Sequence, residues 1–233
     1  MSIFSKLKQS KGNGPQPPLD LHTAFAMAGE ANHTKVKSLG KLHLPTGAII
    51  ACDGLVYPGA TPFSDKVSPG DYDVSVLISD QGRSGERYAL AKLTFSENPA
   101  ISWQLAIKKS QKLSKLNSGE IFGYPIDAGV GCFMDAKTLA EYDSLAMRLY
   151  EKDSTANLYD DYLEPLFKQN AEHPEDPEDS GNWANVTVPE TDGDNVIIFA
   201  SGWGDGVYAS YWGYDANNNT CCLVTDFQAL QPS

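Results

Sequence analysis

The chain has 233 residues, 41% of them hydrophobic, with 18 Lys+Arg against 30 Asp+Glu and a formal net charge of −12. That length and apolar content suit one sizeable core, and no apolar run approaches the ~20 residues that span a bilayer. Without such a run no membrane is expected as a partner, and an acidic surplus of this size repels phosphate backbones, so nucleic acid is not expected either.

The N-terminus, MSIFSKLKQSKGNGPQPP, is basic and Gly/Pro-rich, and it lacks the apolar core of ~7–15 residues that a signal peptide needs. Residues 1–19 read as a flexible basic leader, and residues 20–233 as a single globular domain with a cytoplasmic location expected. Asp20 is placed to cap a short helix running to about Ala31. KLHLPTGAIIACD, from Lys41 to Asp53, reads as two short strands hinged at Pro45-Thr46-Gly47. Tyr72, Val74, Val76 and Ile78 alternate with polar neighbours, as in a half-buried strand. A turn over 81–85 and a second strand from Tyr88 to Phe95 follow. Trp103, Leu105 and Ile107 mark a third, and together the three predict an antiparallel meander.

GYPIDAGVGCFMD, residues 123–135, reads as a stiff, sharply turning loop that enters a helix with Asp135 as its N-cap. In that helix Leu139, Tyr142, Leu145, Ala146 and Leu149 form an apolar stripe. A second helix is expected over Asn157–Asn170, followed by an exposed acidic loop over 172–181. Four strands close the chain, at Asn185–Val188, Val196–Ser201, Gly206–Tyr214 and Thr220–Phe227, with a hairpin turn at Asn217–Asn219. The expected class is α+β: a mainly antiparallel, sandwich-like β-sheet with two central helices packed against it.

The densest chemistry lies in SGWGDGVYASYWGYD, residues 201–215. Glycines at 202, 204 and 206 bracket Trp203 and Asp205 and allow a sharp turn. In the strand that follows, Tyr208, Ser210, Trp212 and Tyr214 share one face. Three functional readings compete for this region and the 123–135 segment. In the binding reading, Asp127, Asp135, Trp203, Asp205, Tyr208, Trp212 and Tyr214 form an aromatic surface edged with acids. In the metal reading, Asp127, Asp135 and Asp205 converge on a hard divalent cation. In the catalytic reading, Cys132 near a helix start is an activated thiolate, with His43 as its base, or Asp205 serves as a general base. Asp135 as a helix cap and Asp205 as a turn residue are the structural alternatives. No GxxxxGK[ST], GxGxxG or GxSxG motif occurs. Cys52, Cys132, Cys221 and Cys222 form no CxxC, and reduced, mostly buried thiols are expected.

Charge is also uneven along the chain. Residues 1–120 hold 14 Lys+Arg against 10 Asp+Glu, and residues 121–233 hold 4 against 20. The second half is therefore expected to attract something cationic, either a metal ion or a basic protein.

LPTGAIIACD, PIDAGVGCFMD, SGWGDGVYASYWGYD and LVTDF together resemble a mainly bacterial family known as domain of unknown function 4241, across roughly residues 40–227. The resemblance implies a single domain of this size and carries no activity with it. By analogy, small acidic proteins of unknown function serve as immunity partners of bacterial toxins. The expected function is thus an acidic cytoplasmic protein without cofactor or catalysis, binding a basic protein such as a toxin. The alternative is a metal-assisted hydrolase built on Asp127, Asp135 and Asp205.

Overall fold

A computed structural model describes residues 14–57 and 59–230; most of the expected leader lies outside the described residues. Eleven strands occur among them: β1 (Thr34–Leu44), β2 (Ile49–Asp53), β3 (Gly70–Asp80), β4 (Glu86–Thr94), β5 (Ser102–Leu105), β6 (Tyr124–Ile126), β7 (Val130–Asp135), β8 (Trp183–Thr187), β9 (Asn195–Ala200), β10 (Gly206–Tyr214) and β11 (Thr220–Asp226). The α-helices are α1 (Leu21–Ala26), α2 (Thr138–Lys152) and α3 (Glu164–Lys168).

The strands form two antiparallel sheets. One has seven strands, in the order β1-β3-β4-β11-β10-β5 with β6 also paired to β10; the other has four, in the order β2-β7-β9-β8. Their facing surfaces bury Leu42, Val74, Leu93, Phe133, Phe199 and Trp212 in one cluster. Strand alternation explains this, because every second residue points to the same side. On the outer side of the four-stranded sheet, Tyr142, Leu145 and Phe167 from the two later helices pack on Ile50, Cys132 and Ile198. On the outer side of the seven-stranded sheet, Leu21 of α1 joins Leu77, Leu105, Tyr211 and Val224. The architecture is therefore the expected α+β one: mainly antiparallel sheet, with the two central helices packed on it.

Three local expectations are corrected. The meander does not close, because β4 pairs with β11 and β5 pairs with β10. The last hairpin is thus inserted between two strands that are close in sequence. The 123–135 segment is strand, turn and strand rather than a loop leading into a helix. Asp135 accordingly ends β7, and α2 begins at Thr138 after Lys137, whose backbone is already helical. The second helix opens as a π-helical turn, Tyr159–Leu163, before α3. Asn157 supports its start by accepting from the Asp160 N–H at 2.8 Å. Among the described residues no helix is long and apolar enough to cross a membrane.

Candidate functional site

The two glycine-rich segments meet. Strand β6 pairs with the start of β10, with Gly206 opposite Ile126 and Tyr208 opposite Tyr124. The Ser201 N–H also donates to the Gly129 carbonyl at 3.1 Å. Gly202, at φ 52, donates its N–H to the Tyr88 carbonyl, and a Cβ there would lie 2.7 Å from the Phe227 carbonyl oxygen. Glycine is needed at 202 for both reasons.

The side chain that organises this junction is Asp53, at the end of β2. It is buried, and its carboxylate accepts four backbone N–H groups: Leu55 at 2.7 Å, Val56 at 2.9 Å, Asp127 at 2.7 Å and Ala128 at 2.8 Å. A buried carboxylate is tolerable only when it is saturated in this way. Sequence reasoning passed over Asp53; its one signal was an acid ending an apolar run.

Asp135 plays the matching part at the opposite end of the β2–β7 pair. It is fully buried and accepts from Thr46 N at 3.0 Å, Thr46 Oγ1 at 2.7 Å and Lys137 N at 2.8 Å. Asp127 instead lies exposed before β7, with the five residue steps of that strand between it and Asp135, about 16 Å of extended chain. Asp205 is exposed in the turn just before β10, whose ladder with β6 ends at the Gly206–Ile126 pair. The three aspartates of the metal reading therefore do not converge. Among the described residues no group of three or more His, Cys, Asp or Glu side chains is placed to hold a metal ion.

The aromatic residues divide sharply. Trp203, at the tip of the turn, is 54% exposed, and the Arg87 guanidinium sits 4.9 Å from its ring centroid. Tyr208, Trp212 and Tyr214 are buried, a correction to the expected open aromatic surface. Tyr208 turns back to donate to the Gly204 carbonyl at 2.8 Å and meets Phe227 edge-on at 5.1 Å. Burial, with Asp205 nearby, raises its pKa. Trp212 packs between Phe63 and Phe95, at 6.1 and 5.9 Å. Burial, with Asp65 second, pushes Tyr214 up to about 12. These rings face the core because this face of β10 looks toward the second sheet.

Cys132 is likewise corrected. It lies in mid-strand on β7, not at a helix start, and its Sγ is 3.5 Å from that of Cys52. Burial holds its thiol well above the ordinary range, the reverse of activation. His43, the base assigned to it, pairs through Nδ1 with Asp71 at 2.6 Å.

What remains open and chemically distinctive is the layer over the four-stranded sheet. Residues 138–194 contain 15 Asp+Glu and 3 Lys+Arg, a net of −12, whereas the rest of the chain carries 15 of each sign. The whole net charge thus belongs to α2, α3, β8 and their connections. Glu172, Glu164 and Asp194 have cationic partners, with Lys37 at 2.9 Å, Lys168 at 3.0 Å and Lys137 at 3.2 Å respectively. Glu141, Asp143, Glu151, Asp160, Glu175 and Glu178 are exposed. Among them Met147 and Tyr150, 64% and 61% exposed, stand three residues apart on α2 with Asp143 and Glu151 one turn to either side of Met147. A cavity of about 330 Å³, lined by Leu55, Gly129, Tyr159, Phe167 and Asn182, joins this layer to the glycine turn before β7.

A protein-family model described as a protein of unknown function (DUF4241) matches residues 42–225. No curated protein and no solved structure matches the chain.

Proposed function

The chain belongs to the DUF4241 family of unknown function, and on that premise we propose that it is a binding protein whose acidic helical layer docks a basic protein, as a toxin-neutralising partner would. The observation that carries this reading is the confinement of the entire net charge to residues 138–194. Acids distributed for solubility would be balanced alike along the chain; here 15 of the 30 fall in this one segment against only 3 Lys+Arg. Met147 and Tyr150 supply what charge alone lacks, a compact apolar contact inside a charged rim. Long-range attraction steers the encounter and the apolar pair holds the complex. The two staple aspartates, Asp53 and Asp135, serve this function by fixing the sheet on which the layer rests.

The test is capture from cells that encode the chain, comparing it with the variant Asp143→Lys, Glu151→Lys, Asp160→Lys and Glu175→Lys. A basic protein should be retained by the parent and lost by the variant, with an association rate that falls about tenfold or more from low to physiological salt. A partner that binds both forms equally, or whose association ignores salt, refutes the reading.

A further inference from the structure

The seven-stranded sheet, away from the acidic layer, holds a carboxylate that the fold leaves half matched. Among the described residues the buried aspartates are Asp53, Asp135, Asp194, Asp215 and Asp226. Asp53 collects four donors and Asp135 three. Asp215 accepts from Asn217 N, Asn219 N and Asn98 Nδ2 at 2.9, 2.8 and 2.8 Å, and Asp194 pairs with Lys137. Asp226, 3% exposed, accepts one hydrogen bond, from the Gln228 N–H to Oδ1 at 2.8 Å. No described residue donates to its Oδ2, and no described cation pairs with it. A buried carboxylate in that condition is costly until something completes it.

Strand register brings a second polar group to the same place. Asp226 of β11 lies directly opposite Ala209 of β10, and Tyr211, two residues on, shares that face. Ala209 is too short to cover the carboxylate. A cavity of about 370 Å³ opens there, lined by Asp226, Tyr211, Ala209, Pro18 and Ile121. Tyr211 is 2% exposed, and no described residue hydrogen-bonds its Oη either. Burial, with Asp226 second, pushes the Tyr211 phenol up to about 12, and burial also raises the Asp226 carboxyl. Two buried, unmatched oxygens thus share one wall of the cavity, and Pro18, Ile121 and Ala209 supply apolar walls.

We propose that this cavity binds a small organic cation, a primary ammonium on an aliphatic or aryl stem, held by Asp226 and Tyr211. An ammonium carries three donors. One meets the free oxygen of Asp226, a second meets Tyr211 Oη, and the stem lies against Pro18 and Ile121. Away from bulk water such a charge-assisted hydrogen bond is stronger than at an open surface. A volume of about 370 Å³ is at the low end for small-molecule sites, which limits the stem to a few carbons or one ring. A bare metal ion suits the site poorly, because one carboxylate and one phenol offer a hard cation too few oxygens. The site stands apart from the acidic layer, so its failure would leave the docking reading untouched.

The experiment titrates the full-length chain with benzylammonium and n-butylammonium at millimolar concentration and follows backbone amide shifts by NMR. Benzyl alcohol and benzoate serve as the neutral and anionic counterparts. Both ammonium ions should move the amides of Ala209, Tyr211 and Asp226. Benzyl alcohol should bind at least roughly tenfold more weakly than benzylammonium, and benzoate not at all. Asp226→Asn, which keeps an oxygen for the Gln228 N–H, should weaken benzylammonium by at least roughly tenfold, and Tyr211→Phe by about three- to tenfold. Asp226→Asn should also melt no lower than the parent, because it removes a buried charge that the free protein leaves unpaired. Silence of these amides toward both ammonium ions, equal binding of benzyl alcohol, or unchanged affinity in Asp226→Asn would overturn the proposal. So would a melting loss in Asp226→Asn, which would make the carboxylate a structural staple instead.

Discussion

Replacing Asp53 by asparagine changes one oxygen into an amide nitrogen and leaves the side chain the same size. In the parent each carboxylate oxygen serves two N–H groups, Leu55 and Val56 on one and Asp127 and Ala128 on the other. The asparagine oxygen can satisfy one pair, and the other pair then faces a donor. Two stranded N–H groups cost about 1–3 kcal/mol each; because both lie at partly buried backbone the lower half applies, giving a loss of about 3 kcal/mol. For a chain of this length that lowers the melting temperature by roughly 6–12 °C. Urea unfolding measures the loss, and hydrogen exchange locates it, since the amides of Asp127 and Ala128 should lose protection if they are the pair stranded. Asp127→Asn is the companion, because its exposed side chain should shift stability by under about 0.5 kcal/mol. A loss below about 1 kcal/mol in Asp53→Asn, or an equal loss in both variants, would refute the assignment of Asp53 as the staple.

Trp203→Phe should leave stability within about 0.5 kcal/mol while removing the tryptophan emission most accessible to acrylamide. Trp212→Ala, which empties a fully buried site between Phe63 and Phe95, should destabilise by about 3–5 kcal/mol in urea titration. Glu172 is held below its ordinary value of 4.5 by Lys37 first and Lys35 second. A depressed carboxyl stabilises the fold above its unfolded pKa, and that contribution disappears as pH falls through the folded value. Glu172→Gln should therefore lower stability near pH 7 by at most about 1 kcal/mol. The two proteins should converge in acid, and a difference that persists there would show that the ion pairs are not its source.

How far the fold was legible depended on whether a segment's pattern is local. Strand β10 was read at its bounds, because glycines fix one end, the asparagine turn fixes the other, and aromatic alternation fills the middle. The first half of β1 was missed. Lys35 and Lys37 give it no apolar period, and it needs none as the edge of its sheet, where lysines discourage pairing with another chain. The placement of β5 beside β10 was not readable, because its own alternation says nothing about a partner about a hundred residues away. At the site, Asp205 and Trp203 were correctly seen at an open turn, whereas Tyr208, Trp212 and Tyr214 could be assigned to one face but not told which way that face looked. Asp53 and Asp135 illustrate a different limit. A buried carboxylate is defined by the amides it collects, and those amides belong to segments distant in sequence.

The acidic layer enters after β7 and returns at β8, and these two strands flank the same neighbour, β9. The intervening stretch is therefore one contiguous detour, held to the sheet by the buried side chains of Tyr142, Leu145 and Phe167. Its surface can be rewritten without disturbing the pairing of the remaining strands or the two carboxylates that lock them. A lineage built on this plan is free to diversify in what it recognises while its scaffold stays fixed, and variation among relatives should concentrate in that detour.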